Sequence, residues 1–189
     1  MVSQFISTHD VGLLGELEFN FPEGIHAVGR LDSNSEGLLI LTTNKKVTRL
    51  LFSAEVPHKR TYLVQVKNNV SNEKLDLLRK GISIRIKGGI FYTTPACDIN
   101  KIEQPEDLYK YIENSHQYGP HTWLLITLTE GKYHQVRKMV GAIHHRCKRL
   151  IRISIEDLLL NDLAPGKVKE LEEKFFFSKL KIKNWQDAL

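Results

Sequence analysis

Cysteine, long apolar runs and, over one segment, acidic side chains are scarce in this sequence, and each scarcity removes a class of explanation. The two cysteines, Cys97 and Cys147, lie 50 positions apart with no CxxC spacing. Such a pair makes neither a disulfide framework nor a zinc site, and free thiols suit a reducing cytoplasm. The longest apolar runs ("GLLIL", "TWLLI", "DLLLN") fall far short of the roughly 20 residues a membrane span needs, and no charged segment followed by an apolar one opens the chain. A soluble, cytoplasmic protein without a membrane partner is therefore expected. Low-complexity tracts, internal repeats and linker-like stretches are also missing, so the whole of 1–189 reads as a single domain with one sizeable core. Acid is absent from Gly131 to Arg152, where seven Lys or Arg and three His occur, although the net charge of the chain is only +5. A segment of that kind is either a solvated face or a surface that meets a polyanion.

What is present is a succession of short strands and helices. Leu38 to Leu41 is continuously apolar behind a polar turn that begins near Val28. "NKKVTRLLF" offers Asn44 as a cap, with Val47, Leu50 and Leu51 at helical spacing. "RTYLVQV" is rich in strand formers, and "SNEKLDLLRKG" is a short helix between a Ser cap and Gly81. "ISIRIKGGIFYTTPA" reads as a hairpin turning at Gly88-Gly89. Asn100 to Pro120 is the least patterned stretch, a loop or helical insertion. "HTWLLITLTEG" is a strand, and "KYHQVRKMVGAIHH" carries Val136, Met139, Val140 and Ile143 as a helical stripe. "KRLIRISI" and "DLLLNDL" follow as strands, Pro165-Gly166 as a turn, and "KELEEKFFFSKLK" as an amphipathic helix. The expected class is α+β, with a mixed, mostly antiparallel sheet, flanking helices and a central cleft.

Candidate chemistry is weak residue by residue. Asp32, in "VGRLDSNSEGLLILTTN", stands in turn and cap vocabulary, and Ser33-x-x-Glu36 even fits a capping box. Tyr62 on its strand is ordinary core material. Arg137 falls at the edge of the apolar stripe, where it either covers the core with its stem or aims its guanidinium into a cleft. "HHRC" (His144 to Cys147) lacks a second pair of ligands, so no metal is expected.

The combination is more specific. "GRLD" (Gly29 to Asp32), "KRTYLVQV" (Lys59 to Val66), "EGKYHQVRKM" (Glu130 to Met139) and "KRLIRISI" (Lys148 to Ile155), in that order, resemble the RsuA/RluB/RluE/RluF group of pseudouridine synthases. "LAPGKVKEL" resembles that group's closing turn, and the resemblance covers about Val2 to Leu171. It implies an RNA-modifying isomerase that converts uridine to pseudouridine without cofactor or metal. Asp32 stands at the position of the catalytic aspartate, and Tyr62 at that of the tyrosine that stacks on the uracil and is a candidate base for the C5 proton. Arg137 stands at that of the arginine that ion-pairs with the aspartate, and Leu150 where an aliphatic side chain packs beside the base. Attack of the carboxylate on C1′, removal of a sugar proton and addition to the uracil ring all remain open.

With RNA as partner, Lys132, Lys138, Arg146, Lys148, Arg149 and Arg152 are expected to contact the backbone, together with Arg30 of "GRLD". His134 and Gln135 are expected to meet the flipped nucleotide or its neighbours. The group's opening Lys-Pro-containing strand has no counterpart before Val2, and no S4 RNA-binding domain precedes the motifs. A catalytic domain alone is therefore expected, most like the RluE branch, monomeric and directed at large-subunit ribosomal RNA. Two rival readings are a non-catalytic RNA-binding or ribosome-assembly protein on the same fold, and a hydrolytic N-glycosidase using Asp32.

Overall fold

The structure is a computed structural model that describes residues 1–52, 57–103, 119–183 and 185–188. Most of the unpatterned stretch read as a loop or insertion lies outside the described residues.

Three strands come first: β1 (His26–Val28), β2 (Glu36–Gly37) and β3 (Ile40–Thr42). The first helix, α1 (Val47–Phe52), begins where Asn44 Oδ1 accepts from the Lys46 amide at 2.9 Å. Next are β4 (Arg60–Lys67) and α2 (Asn72–Lys80), the latter capped by Ser71 and ended by Gly81 as its sequence implies. A hairpin follows, β5 (Ser83–Arg85) and β6 (Phe91–Thr93), then β7 (Asp98–Ile102) and β8 (His121–Leu128). The last elements are α3 (Gln135–Ala142), β9 (Cys147–Ile155), β10 (Leu158–Leu159) and α4 (Glu173–Lys179).

The main sheet runs β10-β9-β4-β8-β7, antiparallel throughout, and β2 adds to β9 in parallel. This is the mixed, mostly antiparallel α+β architecture that the pattern implied. β4 sits at its centre, and both faces of the strand are covered. Val64 and Val66 pack into the larger core with Leu75 and Leu78 of α2 and with Val136, Met139 and Val140 of α3. Leu63 belongs to a second cluster with Trp123 and Ile151. A third core joins Val28, Ile40 and Leu51 to Phe177 of α4.

Three local readings are revised. The segment "DLLLNDL" is a strand only at Leu158–Leu159, because the chain turns straight afterwards. β7 begins just ahead of the unpatterned stretch and extends into it. Among the described residues it pairs with β8 alone, and it fully buries just Ile99, so its sequence carries little hydrophobic periodicity. The hairpin turn is longer than a Gly-Gly dipeptide, with a 3-10 turn over Lys87–Gly89 in which both glycines have positive φ.

Both cysteines are free and partly buried. Burial pushes the Cys97 thiol up, with Asp98 and Glu130 adding to it; burial also raises Cys147, against the opposing charge of Arg137. A raised thiol pKa means less thiolate, so at pH 8 iodoacetamide should alkylate the folded protein about tenfold more slowly than the urea-unfolded chain. Equal rates in the two states would contradict this environment for the thiols.

Candidate active site

The turn after β1 is set by backbone. The Ser35 amide donates to the Asp32 carbonyl at 2.8 Å, and the chain then enters β2. No helix starts here, so the capping-box reading of Ser33 and Glu36 does not apply. Glu36 instead takes both arms of the Arg149 guanidinium.

β2 lies against β9 with Gly37 opposite Arg152, and Gly37 has φ +103°. A Cβ at this position would come within 2.3 Å of the Arg152 carbonyl oxygen, so only glycine fits. Arg152 then grips the next residue twice: its carbonyl accepts from the Leu38 amide, and its Nε donates to the Leu38 carbonyl, both at 2.8 Å.

Across β9 the register slips between Thr61 and Tyr62, leaving Ile153 without an opposite residue on β4 and setting Tyr62 opposite Arg152. A bulge of this kind re-aims side chains beside a cleft. Arg152 is 4% exposed. Burial lowers its guanidinium from the usual value, opposed by the neighbouring Tyr62 hydroxyl.

These segments line one cleft of about 670 Å³. Asp32, Tyr62, Leu150, Arg152 and His134 all border it, with Arg30 and Lys132 among its cations. Asp32 is half-buried, its side chain 32% accessible, and it pairs with His134, Nε2 to Oδ1 at 3.3 Å. His134 can reach it because it stands in the left-handed region (φ 54°) at the N-terminus of α3, with its ring uninvolved in capping.

Several expectations are corrected here. Arg137 does not pair with Asp32. Its Nη2 donates to the Asn34 carbonyl and to Ser35 Oγ, so it braces the loop that carries Asp32. Gln135 is buried, and its amide is fully used: Oε1 accepts from the Lys132 amide at 2.8 Å and Nε2 donates to Glu130 at 2.6 Å. It closes the turn ahead of α3 rather than offering itself to a nucleotide. Arg149 is held by Glu36, and Arg152 is buried, so neither is a solvated backbone contact. In each case the sequence showed a cation or an amide, and the fold supplied its partner. Among the remaining cations, Arg30, Lys132 and Arg146 are exposed, while Lys138 and Lys148 are half-buried.

His145 follows the end of α3 at Ala142 and is buried. It turns inward, with Nδ1 2.8 Å from the Lys67 carbonyl and Nε2 3.1 Å from Lys74 Nζ.

The sequence reading missed Phe52, His58, Arg60, Glu130 and Tyr133, all on the cleft wall. Glu130 and Tyr133 lie inside the quoted motif "EGKYHQVRKM", which was the available signal. Glu130 accepts from Gln135 and from the Tyr92 hydroxyl, and that bond, followed by burial, raises the Tyr92 phenol. His58, 3.5 Å from the buried Glu156, had no pattern around it to mark it.

The RNA pseudouridylate synthase family profile matches residues 15–142. A protein of Vibrio parahaemolyticus named ribosomal large subunit pseudouridine synthase E is 34% identical over 148 residues, 78% of this chain and 60% of that protein. A protein of Xanthomonas axonopodis pv. citri with the same name is 33% identical over 152 residues, 78% of this chain and 76% of that one. The chain thus spans about 60% of the length of the Vibrio relative. A crystal structure of a pseudouridylate synthase aligns with TM-score 0.75 at 24% identity, covering 95% of this chain and 68% of that one, a likeness of fold.

Proposed function

The chain belongs to the RNA pseudouridylate synthase family, and from that premise we propose that it isomerises a specific uridine of large-subunit ribosomal RNA to pseudouridine in the Asp32 cleft. One observation carries the reading: an accessible carboxylate, a tyrosine and an apolar wall, from three separate segments, border a single cleft rimmed with cations. The names of the Vibrio and Xanthomonas relatives support ribosomal RNA of the large subunit as the substrate class.

In the reaction the N1–C1′ bond breaks, the uracil turns, and a C5–C1′ bond forms, with one proton lost from C5 and one gained at N1. No electron is gained or lost overall and no water is consumed, so the balance calls for no redox cofactor. Asp32 is the group suited to act at the sugar, by nucleophilic attack or by proton removal. His134 beside it, with Nε2 3.3 Å from Oδ1, orients the carboxylate. Tyr62 and Leu150 supply flat and aliphatic surface for the uracil, and the Tyr62 hydroxyl is the nearby group to receive the C5 proton. Arg137 acts through the loop it braces, and Arg152 through Leu38 and Tyr62. The target must be unstacked to reach Asp32, at a cost of a few kcal/mol that is least in a loop or irregular RNA site.

The test is to incubate the protein with large-subunit ribosomal RNA lacking pseudouridine and to map the product by carbodiimide-dependent reverse-transcription stops. A new stop supports the isomerase and names its site. A folded protein that produces none in ribosomal or transfer RNA overturns it, and release of free uracil would turn the reading to a hydrolytic N-glycosidase.

The charge partners also make the phosphate contacts unequal. Arg146→Ala should flatten the dependence of log K on log salt by about 0.7–0.9. Arg149→Ala, whose guanidinium is already committed to Glu36, should change that slope by less than about 0.3. Equal slopes for the two variants would show that Arg149 leaves Glu36 for the RNA.

A further inference from the structure

Three aromatic rings at or beside the cleft each carry a cation above them. Arg60 lies 5.5 Å from the Phe52 ring centre, Lys132 4.8 Å from Tyr92, and Lys138 5.1 Å from Tyr133. Tyr133 is the most exposed of the three, 67% accessible against 46% for Phe52, and it lines the cleft. One exposed ring on a protein surface needs no explanation. This one, however, is held in a set orientation, stacked on the His134 imidazole with centroids 3.9 Å apart and planes 19° apart. His134 is in turn tied to Asp32. The ring is therefore coupled through one side chain to the carboxylate that the chemistry needs, and its direction is set before any ligand arrives.

We propose that the exposed ring of Tyr133 is a stacking shelf for an unpaired RNA base next to the flipped uridine, with Lys138 supplying charge for the adjoining phosphate. The occupant follows from the chemistry. A flat ring beside an ammonium suits a base and its phosphate together, and every base offers a π-face. A duplex keeps its bases stacked on one another and cannot use the shelf, so the ligand is the single-stranded part of an RNA loop. Pre-orientation by His134 reduces the ordering cost of the contact. The placement next to a flipped uridine rests on the isomerase reading; the shelf itself does not.

The test is fluorescence anisotropy with two labelled RNAs, a stem-loop whose loop contains uridine and a blunt duplex of equal length. Tyr133→Ala should weaken binding of the stem-loop about tenfold and leave the duplex within about twofold. Tyr133→Trp should keep stem-loop affinity within about twofold, and neither variant should alter the salt slope, because stacking releases no counterions. Thermal melts of both variants should match that of the parent, as the ring is largely in water. Tyr133→Ala binding the stem-loop as the parent does, or losing both RNAs equally, overturns the shelf. A protein that needs Tyr133 to bind the loop but makes no pseudouridine keeps the shelf and loses the isomerase. Pseudouridine formation at parental kcat/KM in Tyr133→Ala has the reverse meaning.

Discussion

Asp32→Ala is expected to slow pseudouridine formation by at least about 10³-fold, and Asp32→Asn by nearly as much. The second variant is the more informative. Asparagine is as good a turn former as aspartate, and the hydrogen bond that closes this turn, from the Ser35 amide to the Asp32 carbonyl, is between backbone groups. The loop therefore survives the change, and only the charge is lost. Stability should hardly respond, since the ion pair with His134 is partly exposed and such pairs contribute about 0–1 kcal/mol. Single-turnover rates on the mapped ribosomal RNA fragment, set beside thermal melts and RNA affinity, separate the roles. An Asp32→Asn protein keeping more than about a tenth of parental activity would return Asp32 to the turn and end its assignment as the reactive carboxylate.

The largest effect on stability is expected at Gly37. With φ at +103° and the Arg152 carbonyl oxygen 2.3 Å from where a Cβ would stand, alanine meets both backbone strain and collision with another backbone segment. Neither strand can yield cheaply, because Arg152 is fixed by its two bonds to Leu38. Gly37→Ala should cost about 3 kcal/mol or more, the sum of a strained φ and an overpacked contact. For a domain of this size that lowers the melting temperature by roughly 6–12 °C. The same displacement moves the exit of the Asp32 loop, so activity at a temperature where the variant is folded should also fall. Gly88→Ala is the control. Its φ is similarly positive, +76°, but its nearest neighbour would be the tip of Ile90 at 4.0 Å. That variant should cost about 1 kcal/mol, from strain alone. Urea denaturation of the pair decides the matter: equal losses would mean that the approach of β2 to β9 is not what demands glycine at position 37.

Much of this site was legible before any coordinates. Four spaced motifs gave the family, and the family profile and the Vibrio and Xanthomonas relatives agree with it. The motifs placed Asp32, Tyr62 and Leu150, which do line one cleft. Helices with marked ends were equally legible: Ser71 caps α2, Asn44 closes the turn ahead of α1, and the stripe from Val136 to Ile143 is buried. β7 was not legible, because a strand that fully buries only Ile99 shows no alternation.

Sequence by itself determined most of the elements, the core positions and the order of the motifs, since those follow from periodicity and from side-chain types that act locally. Only the tertiary structure decided which charged groups meet. Arg149 went to Glu36 over 113 positions, Arg137 to the Asn34 carbonyl over 103, and Arg152 to the Leu38 carbonyl over 114, while Asp32 received His134. For these three arginines the sequence neighbours say nothing about the partner in space. Whether a guanidinium braces a loop or faces a phosphate is settled when β2 is laid along β9 and α3 turns His134 toward the cleft.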